Sequence, residues 1–180
     1  MILLIQKHFD KLEALRNEIL DDARRLRPEQ HIFRPEPDKW SILEVFDHLI
    51  TAEGNGLKYM VKKSQGMDGI KKTNLLAKLR LIALNLALKT PFKWKAPPAA
   101  EIKRREYYDF EEIAAEWTDV RKRYSEFLDH LDKAASEKLL FKHPVAVRFT
   151  IIQTLDFQHE HLAHHQQQIA RIKQHQGFPK

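Results

Sequence analysis

The chain runs TIIQTLDFQHEHLAHHQQQIARIK from Thr150 to Lys173, and its apolar residues recur at the spacing of a bundle helix. That apolar stripe consists of Ile152, Leu155, Leu162, Ile169 and Ile172. The same face also carries four polar residues, Gln158, His161, His165 and Gln168. Because an unpaired buried polar group costs about 1–3 kcal/mol, these side chains need partners. A metal ion would satisfy several of them together, so the stretch points to a metal site in a helical core.

Three histidines are the candidate ligands. His161 and His165 lie four residues apart, so both rings can aim a nitrogen at one point. Two such histidines bind a metal poorly alone, and a third ligand from another helix leaves positions open for water or substrate. We expect that ligand to be His48, about two turns into the second predicted helix. His164 is the rival, although its direction places it toward the edge of the stripe, and it is otherwise a candidate for the outer shell of the site. Gln168 is a candidate either for the outer shell, as a hydrogen-bond partner, or for direct contact.

A purely structural reading of these histidines stays open. The chain holds 10 histidines, so a pair four residues apart arises easily by chance, and a buried histidine is more often hydrogen-bonded than bound to metal. The other histidines are predicted in loops or on outward faces: His8, His31, His130, His143, His159 and His175.

The composition predicts an all-α protein. The 180 residues are 43% hydrophobic and 31% charged with only 5 glycines, which favours helices over a sheet with many tight turns. We expect a single domain over residues 1–180, a four-helix bundle. The predicted long helices run over about residues 2–26, from Ser41 to about residue 60, from Asp109 to about residue 131, and from Thr150 to Lys173.

A long connection separates the second and third predicted helices. It extends from Ser64 to Tyr108 and contains a shorter predicted helix, Asn74 to Lys89, followed by three prolines. A connection of this length allows the two helices to run parallel, joined by a crossover. A loop through His143-Pro144 is predicted before the fourth helix.

Several classes of protein are excluded or disfavoured. The chain has no cysteine, so a disulfide framework, a thiolate zinc site and a cysteine nucleophile are excluded. The net charge is +6, but basic and acidic residues are interspersed and no nucleic-acid-binding motif occurs, so we expect no nucleic-acid partner. The apolar segment Leu75–Leu88 contains Lys78 and Arg80 and is too short to span a membrane. The opening Met1–Ile5 lacks a basic leader, so a cytoplasmic protein is expected.

Three motifs in this order resemble one known family. They are Lys39-Trp40-Ser41-Ile-Leu-Glu-Val-Phe-Asp-His48-Leu49, then His143-Pro144, then His161-x-x-x-His165-x-x-Gln168-Ile169. Together they resemble the DinB-like superfamily of four-helix metalloproteins. The resemblance implies a four-helix bundle with a crossover connection and a divalent metal held by His48, His161 and His165. Gln166-Gln167 replaces the Arg-Gly of many members, so no particular member's substrate is transferred to this chain.

The resemblance also implies a class of reaction. Similar members include transferases and isomerases that use low-molecular-weight thiols. A thiol entering an open position on a metal would lose its proton and become a nucleophile. Because the chain has no cysteine, the thiol would come from a cosubstrate. The expected reaction transfers it to an electrophilic small molecule.

Two other functions remain alternatives. In metal-assisted hydrolysis a positioned base would be needed, and Glu53, five residues from His48, points poorly and is expected in a solvated surface role. A non-catalytic metal-binding or structural bundle is the other alternative, and a homodimer is open. Three imidazoles suit zinc, nickel, cobalt and iron; zinc or nickel is our expectation.

Overall fold

The computed structural model describes residues 1–66, 70, 79, 105–142 and 148–180. Within these residues lie four long helices, α1 (Leu3–Arg24), α3 (Ile42–Ser64), α4 (Phe110–Asp129) and α6 (Ile151–Lys173). Two four-residue helices, α2 (Pro28–His31) and α5 (Lys133–Ser136), lie in the connections. The prediction of four long helices is confirmed. The shorter helix predicted over residues 74–89 lies outside the described residues.

Side-chain caps set the start of α3 and α6. The Ser41 hydroxyl accepts a hydrogen bond from the Glu44 amide, and the Glu44 carboxylate accepts one from the Ser41 amide at 2.8 Å. Thr150 and Gln153 form the same reciprocal pair at the start of α6. These pairs satisfy amides that have no partner in the first helical turn. The cap residues read from the sequence are therefore the ones that the structure uses.

A short antiparallel ladder precedes α6, where the sequence predicted only a loop. Strand β1 (Phe141–Lys142) pairs with β2 (Arg148–Phe149). The Phe141 and Phe149 rings stack 5.8 Å apart on the buried side of this ladder. Phe141 packs so closely on Gly56 of α3 that a β-carbon there would meet its ring at 3.1 Å. The predicted His143-Pro144 loop lies outside the described residues.

Helices α3 and α4 run parallel. Phe46 packs on Trp117 with ring centroids 5.5 Å apart. Further along both helices, the Tyr124 hydroxyl meets the Met60 sulfur at 4.0 Å. Because residue numbers rise together in both helices, the chain must return to the starting end of the bundle between them. The predicted crossover is confirmed by this orientation, although most of the connection lies outside the described residues.

Helices α1 and α6 form a second parallel pair. His8 contacts Asp156 at 2.5 Å, and Asp22 pairs with Lys173 at 2.7 Å at the other end. The two parallel pairs pack against each other in opposite directions, as shown by the ion pairs Met1–Asp129 and Arg24–Glu111 between α1 and α4. The arrangement brings α6 beside α3, which positions the histidines. None of the helices in the described ranges has the length and apolar character of a membrane span.

Candidate metal centre

Three histidines from two helices converge inside the bundle. His48 comes from α3, and His161 and His165 come from successive turns of α6. Each offers a ring nitrogen, and these three atoms all lie within 4.8 Å of one another. His48 and His165 are buried and His161 is half-buried. The structure thus brings together the three residues that the sequence singled out as a set.

The location of His48 explains why its ring needs a partner. Every residue from Ser41 to Ile50 is buried, because α3 is packed on all sides at this end. A polar ring in such a segment is costly unless it is paired. The His48 ring lies 4.9 Å from the ring of His165 and 5.4 Å from that of His161. The packing of α3 against α6 therefore turns His48 toward the α6 pair.

Hydrogen bonds orient the two α6 imidazoles. The Gln168 amide oxygen lies 2.9 Å from His165 Nδ1, which therefore carries the proton and donates. This tautomer leaves the lone pair of His165 Nε2 facing His161 Nε2, 3.0 Å away. Burial, aided by the electrostatic effect of the neighbouring His48 ring, lowers the pKa of His165 to about 3. The His165 ring is therefore neutral at physiological pH, as a metal ligand must be.

The two outer-shell candidates occupy different places. Gln168 is in direct contact with His165 through the hydrogen bond just described. His164 is half-buried, and its ring meets that of His165 edge-on at 5.3 Å. Within the described ranges, His164 is not a member of the group of nitrogens that could share one ion. It flanks the site at the edge of the stripe.

The donor set fits a divalent transition metal. Imidazole nitrogens bind zinc at about 2.0–2.1 Å in tetrahedral geometry, so two nitrogens on one ion lie roughly 3.3–3.4 Å apart. The His161 and His165 Nε2 atoms are 3.0 Å apart. Among the residues that the structure describes, the group contains imidazoles and no carboxylate. Three neutral nitrogen ligands favour metals such as zinc or nickel over magnesium or calcium.

Two aromatic residues that the sequence analysis had not assigned to the site lie next to it. The Trp40 ring lies 5.0 Å from that of His48 and 6.4 Å from that of His165. Phe157 stacks on His161 with a centroid distance of 5.9 Å. Phe157 lies four residues before His161, and this spacing places both side chains on one face of the helix, so the contact could have been predicted from the sequence. Trp40 had no such signal, because its ring reaches a neighbouring helix.

Glu53 differs from its expected role. Instead of a solvated surface residue, it is buried on the α4 side of α3. Its carboxylate accepts hydrogen bonds from Arg121 at 2.7 Å and from the Trp117 indole at 2.9 Å. Burial raises the pKa of Glu53, while these two donors oppose the shift. The carboxylate is committed to α4 and is not the base that hydrolysis at the histidines would need.

His31 also differs from the sequence prediction. It was expected on an outward face, but it is buried. Its Nε2 contacts the Ala23 carbonyl at 2.9 Å, and its ring stacks on Phe110. An imidazole N–H donated to this carbonyl adds to the hydrogen bond that it already accepts from the Leu26 amide at the C-terminal end of α1. His31 therefore secures the turn after α1 and takes no part in the metal centre.

Comparisons with known proteins agree with this fold. A solved structure, YfiT from Bacillus subtilis, is described as "a probable metal-dependent hydrolase with an unusual four-helix bundle topology". It is 16% identical, with a TM-score of 0.60 over 97% of this chain and 89% of that chain, which supports the fold. No curated protein sequence matches this chain. The family model of the DinB superfamily matches residues 11–169, which is most of the chain. The protein belongs to the DinB superfamily.

Proposed function

We propose that His48, His161 and His165 bind one divalent metal ion, and that the protein is a metal-dependent enzyme acting on a small molecule. The observation that carries the proposal is the convergence of three ring nitrogens within 4.8 Å inside the bundle. The neutral state of the buried His165 and its orientation by Gln168 support it. The alternative is a polar core network without metal, in which one Nε2 donates to the other across the 3.0 Å between His161 and His165.

The side chains of the site orient the proposed ligands and decide from which side a small molecule can approach. When bound, a divalent ion held by three imidazoles keeps open positions and lowers the pKa of a thiol or water there. Gln168 holds the His165 ring in one tautomer. His48 and His165 are buried, while the half-buried His161 lies nearest to solvent. A small molecule would therefore approach on the His161 side.

The reaction that we propose is transfer of a low-molecular-weight thiol to an electrophile. A bond forms between the thiol sulfur and the electrophilic carbon, the leaving group departs with its electron pair, and the thiol proton passes to solvent. The chain has no cysteine, so the thiol is a cosubstrate. A thiol, with a pKa of about 8.5, needs less help to ionise than water, whose pKa is far higher. This difference suits a site whose group of ligands contains no carboxylate in the described residues.

Hydrolysis is the second candidate. It is favoured by the description of YfiT, which shares the fold, as a probable metal-dependent hydrolase. The position of Glu53 argues against hydrolysis. Its carboxylate accepts hydrogen bonds from Arg121 and Trp117, so the base considered in the sequence analysis does not face the histidines. A third alternative, a metal that only stiffens the core, predicts metal binding with no turnover.

Metal content tests the first part of the proposal. The metal content of tag-free wild-type protein and of the His48→Ala and His161→Ala variants is measured by elemental analysis. We expect close to one zinc or nickel ion per wild-type chain and loss of the ion in both variants. Wild-type protein that is metal-free and takes up neither zinc nor nickel would contradict the site.

Turnover assays test the second part. Zinc-loaded and nickel-loaded protein is assayed with a panel of thiols and alkylating or epoxide electrophiles, and with ester and amide substrates. His165→Ala is expected to abolish conjugation while its metal-free helix content stays that of wild type. Absence of conjugation across the panel in fully loaded protein would refute thiol transfer, and ester or amide cleavage would assign hydrolysis. Metal that raises the melting temperature strongly without any turnover would indicate a structural ion.

A further inference from the structure

Trp40 occupies a rigid position at the start of α3. It directly precedes Ser41, whose amide donates to the Glu44 carboxylate at 2.8 Å. Arg34 donates to both oxygens of the same carboxylate at 2.8 Å. This interlocked cap holds the backbone that carries the indole. The same bonds that start the helix therefore fix the backbone beside Trp40.

The indole contacts imidazoles from both helices of the site. Its ring centroid lies 5.0 Å from that of His48 on α3, at an interplanar angle of 40°. It lies 6.4 Å from that of His165 on α6, at 20°. One aromatic surface thus packs against two of the three proposed ligands, one from each helix.

The two histidines that contact Trp40 are also less exposed to solvent than the third. His48 is 7% exposed and His165 is 6% exposed, and both lie against Trp40. His161 is half-buried and instead stacks on Phe157 at 5.9 Å. The indole therefore forms an apolar wall on the side of His48 and His165, while the His161 side is nearer to solvent.

We propose that Trp40 is a positioning residue of the metal centre, which holds the His48 and His165 rings in the arrangement that binds the ion and keeps water from them. The inference rests on the proposed function, because it assumes that the three histidines bind metal. Removing a neighbour that packs on a ligand gives that ring rotational freedom, which must be lost again on binding. Outer-shell partners of metal ligands are typically worth about 10–100-fold in metal affinity.

Metal affinity is the first test. Zinc and nickel affinities are measured by competition with a chelator for wild type, Trp40→Phe, Trp40→Ala and Trp117→Phe, at a temperature where circular dichroism shows each protein folded. We expect Trp40→Ala to weaken binding about 10–100-fold and Trp40→Phe to lie between it and wild type. Trp117→Phe is the matched control, because that indole donates to Glu53 in the core and should leave affinity unchanged.

Fluorescence quenching tests the geometry separately from stability. The chain has 3 tryptophans, Trp40, Trp94 and Trp117. In Trp94→Phe/Trp117→Phe only Trp40 emits, and in Trp40→Phe/Trp94→Phe only Trp117 emits. Nickel quenches an indole at short range, so we expect strong saturable quenching with one equivalent in the first protein and little in the second.

The outcomes separate this inference from the proposed function. Wild type that binds no zinc or nickel overturns both. Wild type that binds metal, with Trp40→Phe and Trp40→Ala binding equally well, overturns only the role of Trp40. Absence of nickel quenching in the protein that retains Trp40 does the same. If Trp40→Ala does not fold, Trp40→Phe and the quenching experiment decide the question.

Discussion

The Gln168 side chain fixes the tautomer of His165. Its amide oxygen accepts from His165 Nδ1 at 2.9 Å, which places the second nitrogen of that ring toward the other two histidines. Without this acceptor, the neutral ring could adopt either tautomer. The three-residue spacing of the two side chains on α6 makes the contact local, so its geometry follows from helix periodicity.

Replacing Gln168 with leucine is therefore expected to weaken zinc binding about 10–100-fold, because His165 loses its orienting acceptor. Chelator competition measures the loss. Gln168→Glu restores an acceptor and should recover most of the affinity. Gln167→Leu, at the exposed neighbouring position, is the matched control. Equal zinc affinities for the two leucine variants would show that Gln168 does not contribute to metal binding.

Glu44 makes a pH-dependent contribution to stability. Burial alone raises the pKa of Glu44, but hydrogen bonds from Arg34 and from the Ser41 amide outweigh it and hold the pKa below its usual value. An acid with a depressed folded pKa stabilises the protein above its unfolded pKa, about 4.3 for glutamate. That stability is lost as the pH falls through the lower, folded pKa.

Glu44→Gln should therefore flatten the acid limb of the stability curve, since glutamine keeps the capping hydrogen bond but carries no charge. Urea unfolding measured between about pH 5 and pH 3 gives the slope, which is expected to be shallower than in wild type. Glu126→Gln, an exposed position on α4, serves as control. Identical slopes for wild type and Glu44→Gln would contradict the linkage.

At the scale of helices, a buried charge network joins α3 and α4. Arg121, 2% exposed, donates to Glu53 at 2.7 Å, and Glu53 also accepts from the Trp117 indole. On its other side Arg121 approaches Glu13 of α1 at 3.4 Å. Charged groups in a core are costly unless paired. The network links α3 and α4 at mid-bundle, on a different side of α3 from His48.

Arg121→Met should destabilise the protein by about 3–5 kcal/mol, because it leaves the Glu53 charge buried without its partner. Adding Glu53→Gln to this variant removes that charge and keeps an acceptor for the Trp117 indole. We therefore expect the double variant to be more stable than Arg121→Met alone, as measured by chemical denaturation. A further loss of stability in the double variant would show that the buried charge is not the cause.

At the scale of the whole molecule, the parallel pairing of α3 and α4 sets which helices are neighbours. It places α6 rather than a consecutive helix against the His48 side of α3. The pairing requires the chain to cross the length of the bundle between Ser64 and Phe110. The convergence of the three histidines is thus a product of topology as well as of helix faces.

Spin-label distances test this topology, and the absence of native cysteine makes labelling selective. Lys62 is labelled together with Glu126 in one protein and with Glu111 in another, all at exposed positions. Because Met60 lies level with Tyr124, the first pair should be close. Glu111 lies 15 residues earlier on α4, about 22 Å along the axis at 1.5 Å per residue. The reverse order of distances would indicate antiparallel helices.

The amino-acid sequence by itself determined the helices, their capped starts at Ser41 and Thr150, and the pairing of His161 with His165. These features depend on residues within one or two turns of each other, where the 3.6-residue period and local hydrogen bonding dominate. The choice of His48 as third member used the position of that residue on a core-flanking face together with a family resemblance. The ring contacts that bring His48 to α6 come from the packing of separate helices.

Only the tertiary structure decided the burial of Glu53 and His31 and the contact of Trp40 with two imidazoles. Each of these depends on a neighbour distant in sequence: Arg121 for Glu53, Phe110 for His31 and His165 for Trp40. A charged or polar residue looks like a surface residue until another helix supplies its partner. Helix periodicity says which residues share a face, but the rotation and order of packed helices decide what that face meets.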